Sequence, residues 1–108
     1  MSSSSSLYSD KKKLNDNKRI RAHLFIQGKV QGVYFRQNTM IVSTRYGVTG
    51  WVRNLKDGRV EVILEGSEMD VGKVIEWCRV GPAKATVNHI VIEYQSYIGE
   101  FQEFKVIY

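Results

Sequence analysis

A β-hairpin is predicted by residues 48–65, VTGWVRNLKDGRVEVILE. In residues 59–65, Val60, Val62 and Leu64 alternate with Arg59, Glu61 and Glu65, which gives that half one apolar face, as in a half-buried strand. Asp57 and Gly58 precede it and supply the positive φ angles that a tight hairpin turn requires. We therefore predict that residues 48–54 form a first strand and that it pairs antiparallel with the second.

A helix is predicted on each side of this hairpin. Residues 35–46 carry side chains at the spacing of one helical face, and Gly47 is a natural stop. The second helix begins where Ser67 and Asp70, three positions apart, resemble a capping box, and it ends at Gly81. The positions expected to face the core are Phe35, Thr39, Val42, Tyr46, Val71, Val74, Ile75 and Cys78.

Three further strands are predicted at residues 20–27, 86–94 and 103–107. The order of elements is then β-α-β-β-α-β with an extra terminal strand. Two helices packed on one face of an antiparallel sheet would bury both apolar helix faces at once. We predict an α+β fold of this ferredoxin-like arrangement. Because the fold hosts many functions, function has to be argued from a site.

The first 18 residues differ in composition from the rest. They contain five consecutive serines and a lysine run with few apolar side chains. Such a segment buries too little surface to offset its ordering entropy, so we predict a disordered tail at 1–18 and one folded domain at 19–108. Five basic and two acidic residues within residues 1–20 account for +3 of the net charge of +5. The tail is alternatively a nucleic-acid or partner-binding arm, and the mildly positive remainder suits a small anionic ligand.

The composition also bears on location and on metal binding. No apolar run approaches the roughly 20 residues that cross a bilayer, and the N-terminus lacks the apolar segment of a secretory signal. Cys78 is the one cysteine, so an internal disulfide is impossible. His23, His89 and Cys78 are scattered over different elements and do not have the spacing of metal ligands. We expect a cytoplasmic monomer without a metal or a membrane partner.

The connection at residues 29–35 has the features of an anion-binding loop. Amides at the start of a helix have no intrahelical acceptors and carry positive partial charge. Gly28 and Gly32 allow the chain to bend so that several amides converge on a phosphate. Arg36 adds a planar fork of donors matched to phosphate oxygens. From the residues alone, a plain connection and a solvated arginine remain the more common alternatives.

Asn54 is the second candidate residue, at the end of a predicted strand and just before the turn. Its carboxamide both donates and accepts, so it is able to hold a phosphate oxygen or a water molecule. An asparagine beside a turn more often caps the backbone. The position therefore leaves both roles open.

The segment IQGKVQGVYFR (26–36) resembles the signature loop of acylphosphatases, which hydrolyse the carboxyl–phosphate anhydride. GWVRN (50–54), followed by GRVE (58–61), resembles the second motif of that family. The resemblance implies that the loop and Arg36 bind phosphate and that Asn54 orients the attacking water. The loop residues implied in this way are Gln31, Gly32, Val33, Tyr34, Phe35 and Arg36.

The resemblance further implies hydrolysis of a small acyl phosphate to carboxylate and inorganic phosphate, with no cofactor, metal or covalent intermediate. Neither motif contains a general base or a nucleophilic cysteine or serine. This absence suits a carboxylate leaving group, which departs without much protonation, so that positioning and charge stabilisation dominate. Animal acylphosphatases also end in tyrosine, which suggests that the chain-end carboxylate of Tyr108 lies near the empty loop.

Three other functions are considered. RNA-recognition domains share the element order, but they stack bases on aromatics of a central strand, and residues 57–64 contain none. We therefore expect no specific nucleic-acid partner. Acylphosphatase-like domains also occur in larger carbamoyl-transferring enzymes that mature hydrogenases, whose cysteine-rich and transferase regions this chain lacks. The third alternative is an anion-binding protein without turnover, although both motifs are intact.

Overall fold

The computed structural model describes residues 18–108, so the predicted disordered tail lies, apart from Lys18, outside the described residues. Five strands and two helices lie within this range. They are β1 (Arg19–Lys29), α1 (Phe35–Arg45), β2 (Thr49–Asn54), β3 (Val60–Ser67), α2 (Glu68–Val80), β4 (Thr86–Gln95) and β5 (Phe104–Ile107). This order confirms the predicted series of elements. Neither helix of residues 18–108 has the length and apolar character needed to cross a bilayer.

The five strands form one sheet in the order β4-β1-β3-β2-β5. β1 pairs antiparallel with β3 and β4, and β2 pairs antiparallel with β3. The terminal strand β5 instead pairs parallel with β2, so the sheet is mixed and not wholly antiparallel. β1 and β2 both run antiparallel to β3, and β5 runs parallel to β2. These three strands therefore point to the same end of the sheet.

The predicted hairpin forms as expected. Asn54 pairs with Val60 at its closed end, and the amide of Leu55 donates to the carbonyl of Arg59 at 2.8 Å. Gly58, with φ 96°, supplies the left-handed conformation that the turn needs, whereas Asp57 does not have the positive φ predicted for it. Two adjacent, oppositely directed strands in the middle of the chain fix the antiparallel centre of the sheet.

Both helices pack against a core that lines one face of the sheet. The alternating residues of β1 and β3 that point to this face are fully buried: Ala22, Leu24, Ile26, Val60, Val62 and Leu64. From α2 they meet the four predicted residues Val71, Val74, Ile75 and Cys78, all buried. The Ser67 hydroxyl accepts from the amide of Asp70 at 3.1 Å, which confirms the predicted cap.

Helix α1 buries a different stripe from the predicted one. Phe35 and Thr39 are buried as expected, but the next buried residue is Ser43, while Val42 and Tyr46 are only partly covered. The small Thr39 and Ser43 let the helix lie close to its neighbours, and the Thr39 hydroxyl donates to the carbonyl of Phe35 at 2.7 Å. The apolar pattern misplaced the second half of the stripe because it favoured the apolar Val42 and Tyr46 over the hydroxyl residue Ser43.

On the opposite face of the sheet, several charged side chains pair with one another. Glu61 accepts from Arg53 Nε and lies against His23 Nε2, each at 2.6 Å. Glu65 is 1% exposed; its Oε2 accepts from Arg21 at 3.3 Å and from the amide of Ile98 at 2.9 Å. Glu65 therefore anchors the crossing between β4 and β5 to the sheet.

We expect Glu61→Gln to lower the free energy of unfolding by about 1–2 kcal/mol at neutral pH. Burial raises the pKa of Glu61, but the pairs with His23 and Arg53 outweigh burial, so its pKa lies below the ordinary value of 4.5. The stabilisation is therefore present above pH 4.5 and is lost as the pH falls through the lowered pKa, because the unfolded chain takes up the proton first.

Urea unfolding of the parent protein and of Glu61→Gln, at about pH 7 and about pH 3, measures this loss of stability. The difference between them should shrink at the lower pH. Glu76→Gln is the matched control, since this carboxylate is exposed on α2 and should change stability by less than about 0.5 kcal/mol. A Glu61→Gln protein as stable as the parent at neutral pH would contradict the assignment.

Candidate active site

A cavity of about 400 Å³ opens at the end of the sheet to which β1, β2 and β5 point. It is lined by Val30, Gly32, Tyr34, Phe35, Arg36, Gln37, Asn54 and Tyr108. The connection after β1, the last residue of β2 and the residue after β5 meet here because the three strands run in the same direction. The topology thus brings together segments that are far apart in sequence.

The loop between β1 and α1 has an unusual backbone. Gly32 has φ 75° and Tyr34 has φ 64°, so two left-handed residues bracket Val33 within one turn. A left-handed tyrosine is strained by about 1–2 kcal/mol. Such strain persists only where the surroundings enforce it, and it is common at ligand-binding sites. Successive left- and right-handed residues are the conformation in which backbone amides form an anion-binding nest.

The N-terminus of α1 faces the same cavity, since Tyr34, Phe35, Arg36 and Gln37 all line it. Tyr34 is the N-cap residue, and no side chain of the described residues caps this end of the helix. The first turn also contains no acidic residue. The first-turn amides therefore keep free donor capacity and positive partial charge, which favours an anion at this point.

Arg36 is the one charged side chain among the described residues that line the cavity. Its Nη1 donates to the carbonyl of Ile107 at 3.2 Å, and its guanidinium carbon lies 4.6 Å from the centre of the Tyr108 ring. Within residues 18–108 no carboxylate forms an ion pair with it. A guanidinium has five N–H donors, so most of them remain available to a ligand.

Asn54 is the last residue of β2 and lines the cavity. Its Oδ1 is buried and has no hydrogen-bond partner among the described residues. A buried, unsatisfied carboxamide oxygen is unfavourable by about 1–3 kcal/mol. This oxygen does not cap a backbone amide of the described residues. It remains free to accept a hydrogen bond from a water or a ligand.

Not every residue of the predicted loop lines the cavity. Gly32, Tyr34, Phe35 and Arg36 do so with Asn54, whereas Gln31 and Val33 do not. Val33 is buried in the core, and the side chain of Gln31 is bound to the hairpin. The cavity also gains three residues that the predicted site did not include, namely Val30, Gln37 and Tyr108.

Tyr108 contacts Arg36 through the face of its ring. Its proximity to the loop was suggested by the family resemblance alone, since no local pattern links it with residue 36. Val30 and Gln37 directly flank the predicted binding residues 31–36, so extending that range by one residue at each end would include them.

His23, His89 and Cys78 lie on three different elements, namely β1, β4 and α2. Among residues 18–108, no three His, Cys, Asp or Glu side chains come together in a way that would hold a metal ion. His23 pairs with Glu61 on the face of the sheet opposite to the helices. Cys78 is buried, and burial raises the pKa of its thiol to about 12, so it is a neutral core residue.

Comparisons with known proteins identify the family of this chain. The sequence model of the family described as Acylphosphatase matches residues 22–106. The acylphosphatase of Pyrobaculum islandicum is 54% identical over 89 residues, covering 82% of this chain and 94% of that protein. That of Pyrobaculum arsenaticum is 58% identical over 88 residues, covering 81% and 93%.

A solved structure shows the same fold. The crystal structure of acylphosphatase from Bacillus subtilis superposes with a TM-score of 0.80 at 28% identity, covering 82% of this chain and 99% of that one. The match confirms the ferredoxin-like arrangement, and the sequence matches confirm the resemblance seen in the two motifs. The chain belongs to the acylphosphatase family of enzymes.

Proposed function

We propose that this protein hydrolyses the carboxyl–phosphate anhydride of small acyl phosphates, giving a carboxylate and inorganic phosphate. One observation carries the proposal. Among the described residues, a guanidinium without a carboxylate partner, a helix N-terminus without a side-chain cap and a carboxamide with an unsatisfied buried oxygen line a single cavity. Together they offer donors for a phosphoryl group and an acceptor for a water.

The phosphate-binding role belongs to residues 31–36. The first-turn amides and the guanidinium of Arg36 neutralise the phosphoryl oxygens, on which charge is spread in the transition state. Helix amides and an arginine bind tetrahedral anions in many unrelated proteins. In the described structure no competing carboxylate occupies the Arg36 side chain.

The water-positioning role belongs to Asn54. Its buried Oδ1 accepts one hydrogen of the water and thereby orients a lone pair towards phosphorus. The carboxylate leaves readily, so no protonation by the enzyme is required, and the water proton passes to the substrate phosphate. The reaction then depends on positioning more than on acid–base catalysis.

We further propose that neither a metal nor a covalent intermediate takes part. The side chains that line the cavity within residues 18–108 include no cysteine, serine, histidine or carboxylate. The neutral, buried thiol of Cys78 is equally unsuited to attack. The protein would act as a cytoplasmic monomer, with the acyl phosphate and inorganic phosphate as its small-molecule partners.

Hydrolysis of acetyl phosphate in H₂¹⁸O with a metal chelator tests the proposal, with p-nitrophenyl phosphate as a comparison substrate. We expect chelator-resistant turnover, ¹⁸O in the phosphate and not in the acetate, simultaneous release of both products before the steady state, and no cleavage of the ester. Label in the acetate, or an initial burst of acetate, would contradict direct attack of water on phosphorus.

We expect Tyr108→Leu to reduce kcat/KM by about two- to fivefold. The ring holds the Arg36 guanidinium by a cation–π contact at 4.6 Å, and exposed contacts of this kind contribute about 0.5–1 kcal/mol. Leucine keeps much of the apolar volume but not the ring face. Inhibition by inorganic phosphate should weaken in parallel.

Tyr94→Leu is the matched control, because this tyrosine is similarly exposed on β4 and does not line the cavity. Steady-state kinetics and phosphate inhibition of the two variants decide the matter. An unchanged kcat/KM and unchanged phosphate inhibition in Tyr108→Leu would remove the role of the ring.

A further inference from the structure

The side chain of Gln31 connects the anion loop to the β2–β3 hairpin. Its Nε2 donates to the carbonyl of Leu55 at 2.7 Å and to the carbonyl of Arg59 at 2.9 Å. A primary carboxamide has two N–H donors, and both are used here. The two acceptors lie 24 and 28 residues away in sequence, so these bonds are long-range ties and not part of a local turn.

The two carbonyls belong to the closed end of the hairpin. The carbonyl of Arg59 also accepts from the amide of Leu55 at 2.8 Å, and the carbonyl of Leu55 also accepts from the amide of Gly58 at 3.2 Å. The carboxamide of Gln31 is thus attached to a turn that is already hydrogen-bonded. A rigid turn is a firm support for whatever is attached to it.

Each end of this tie lies one residue from the cavity. Gln31 immediately precedes Gly32, and Leu55 immediately follows Asn54; Gly32 and Asn54 both line the cavity. None of the described residues donates a hydrogen bond to Asn54 Oδ1, so no such bond orients this side chain. Its place relative to the loop is therefore set by the backbone at Leu55, to which Gln31 is bonded.

We propose that Gln31 is a positioning residue that fixes the separation between the anion loop and Asn54. This inference depends on the function proposed above, and it gives the side chain of Gln31 a task other than phosphate binding. A displacement of about 1 Å between a bound group and its reaction partner lowers rates by up to about 10²-fold. The tie therefore acts on the alignment of water with phosphorus.

A purely structural role for Gln31 predicts different behaviour. If the side chain served stability alone, its loss should lower the free energy of unfolding and leave kcat unchanged. Both carbonyls, however, retain a backbone donor when Gln31 is changed, so the unfolding penalty of an orphaned buried group does not arise. The variant Gln31→Met keeps the length and approximate volume of the side chain while removing both donors.

We expect Gln31→Met to lower kcat about tenfold, while KM and inhibition by inorganic phosphate change by less than about threefold. In an Asn54→Ala background the same change should lower kcat by less than about twofold, because there is no longer an aligned carboxamide to displace. Gln102→Met is the control, since this exposed glutamine lies in the crossing between β4 and β5, away from the cavity.

A second variant guards against a folding defect in the first. Gln31→Glu keeps the shape of the side chain but places a carboxylate against two carbonyl oxygens, so kcat should fall further at neutral pH. Protonation restores one donor, so the ratio of its kcat to that of the parent should rise as the pH is lowered from about 7 towards 4.5. A ratio independent of pH would overturn the positioning role.

Two outcomes separate this inference from the proposed function. If Gln31→Met lowers kcat by the same factor in the parent and in Asn54→Ala, or raises KM alone, Gln31 does not act through Asn54 and the inference is wrong. If Asn54→Ala and Arg36→Ala both keep near-normal turnover, the roles proposed for these two residues fail; if the parent protein does not hydrolyse acetyl phosphate, the proposed function itself fails, whatever Gln31 does.

Discussion

Replacing Arg36 with alanine is expected to lower kcat for acyl-phosphate hydrolysis by at least about 10²-fold, the usual effect of losing a preorganised donor at a developing charge. Arg36 is the one charged side chain of the described residues lining the cavity. Without it, the helix amides would face the phosphoryl group alone. The expected loss corresponds to about 2.7 kcal/mol of transition-state stabilisation.

The fold should survive this substitution. The guanidinium is only partly buried, and its one backbone contact, with the carbonyl of Ile107, lies at the exposed surface, where water replaces it. Arg36→Lys should recover part of the activity, because lysine restores the charge but not the planar fork. Arg45→Ala, an exposed arginine in the last turn of the same helix, is the matched control. Near-normal turnover by Arg36→Ala, with a folded far-UV spectrum, would remove its assigned role.

Replacing Asn54 with alanine is expected to lower kcat by a similar factor, at least about 10²-fold, but with a different kinetic signature. Arg36 and the loop amides would still bind phosphate, so inhibition by inorganic phosphate should remain within about threefold of the parent value. An interaction made with the attacking water alone lowers kcat and kcat/KM together. Stability should not fall, because the carboxamide oxygen that is removed has no partner among residues 18–108.

The measurement combines steady-state kinetics with phosphate inhibition and thermal unfolding. Asn88→Ala is the control, since this asparagine is exposed on β4 and does not line the cavity. Asn54→Asp tests the acceptor separately, because it keeps the shape but adds a negative charge beside the phosphoryl group. Loss of phosphate affinity in Asn54→Ala, with kcat unchanged, would show that Asn54 binds the anion and does not orient water.

The hairpin and the cap of α2 could be predicted because their causes are local. Alternating polarity from Arg59 to Glu65 and the left-handed Gly58 specify two strands and a turn without reference to the rest of the chain. Ser67 and Asp70 lie three residues apart, and their hydrogen bond is a property of that spacing. Such features depend on backbone chemistry within a few residues.

Other features depend on contacts between residues that are far apart in sequence. The parallel pairing of β5 with β2 follows from the crossing between β4 and β5 at one end of the sheet. The four residues of β5 contain no pattern that specifies the direction of the strand. The donors of Gln31 find partners 24 and 28 residues away. The family resemblance placed Gln31 in the anion loop, but it did not reveal that the side chain turns towards the hairpin.

The short edge strand β5 has a bearing on how this enzyme loses activity. It is four residues long and pairs on one side only, with β2, yet its last carbonyl holds Arg36 and the next residue covers the guanidinium. Peripheral segments of this kind open at a smaller free energy than the centre of a sheet. Inactivation on heating should therefore precede global melting, and by thermodynamic reciprocity an anion held at Arg36 would in turn keep this edge closed.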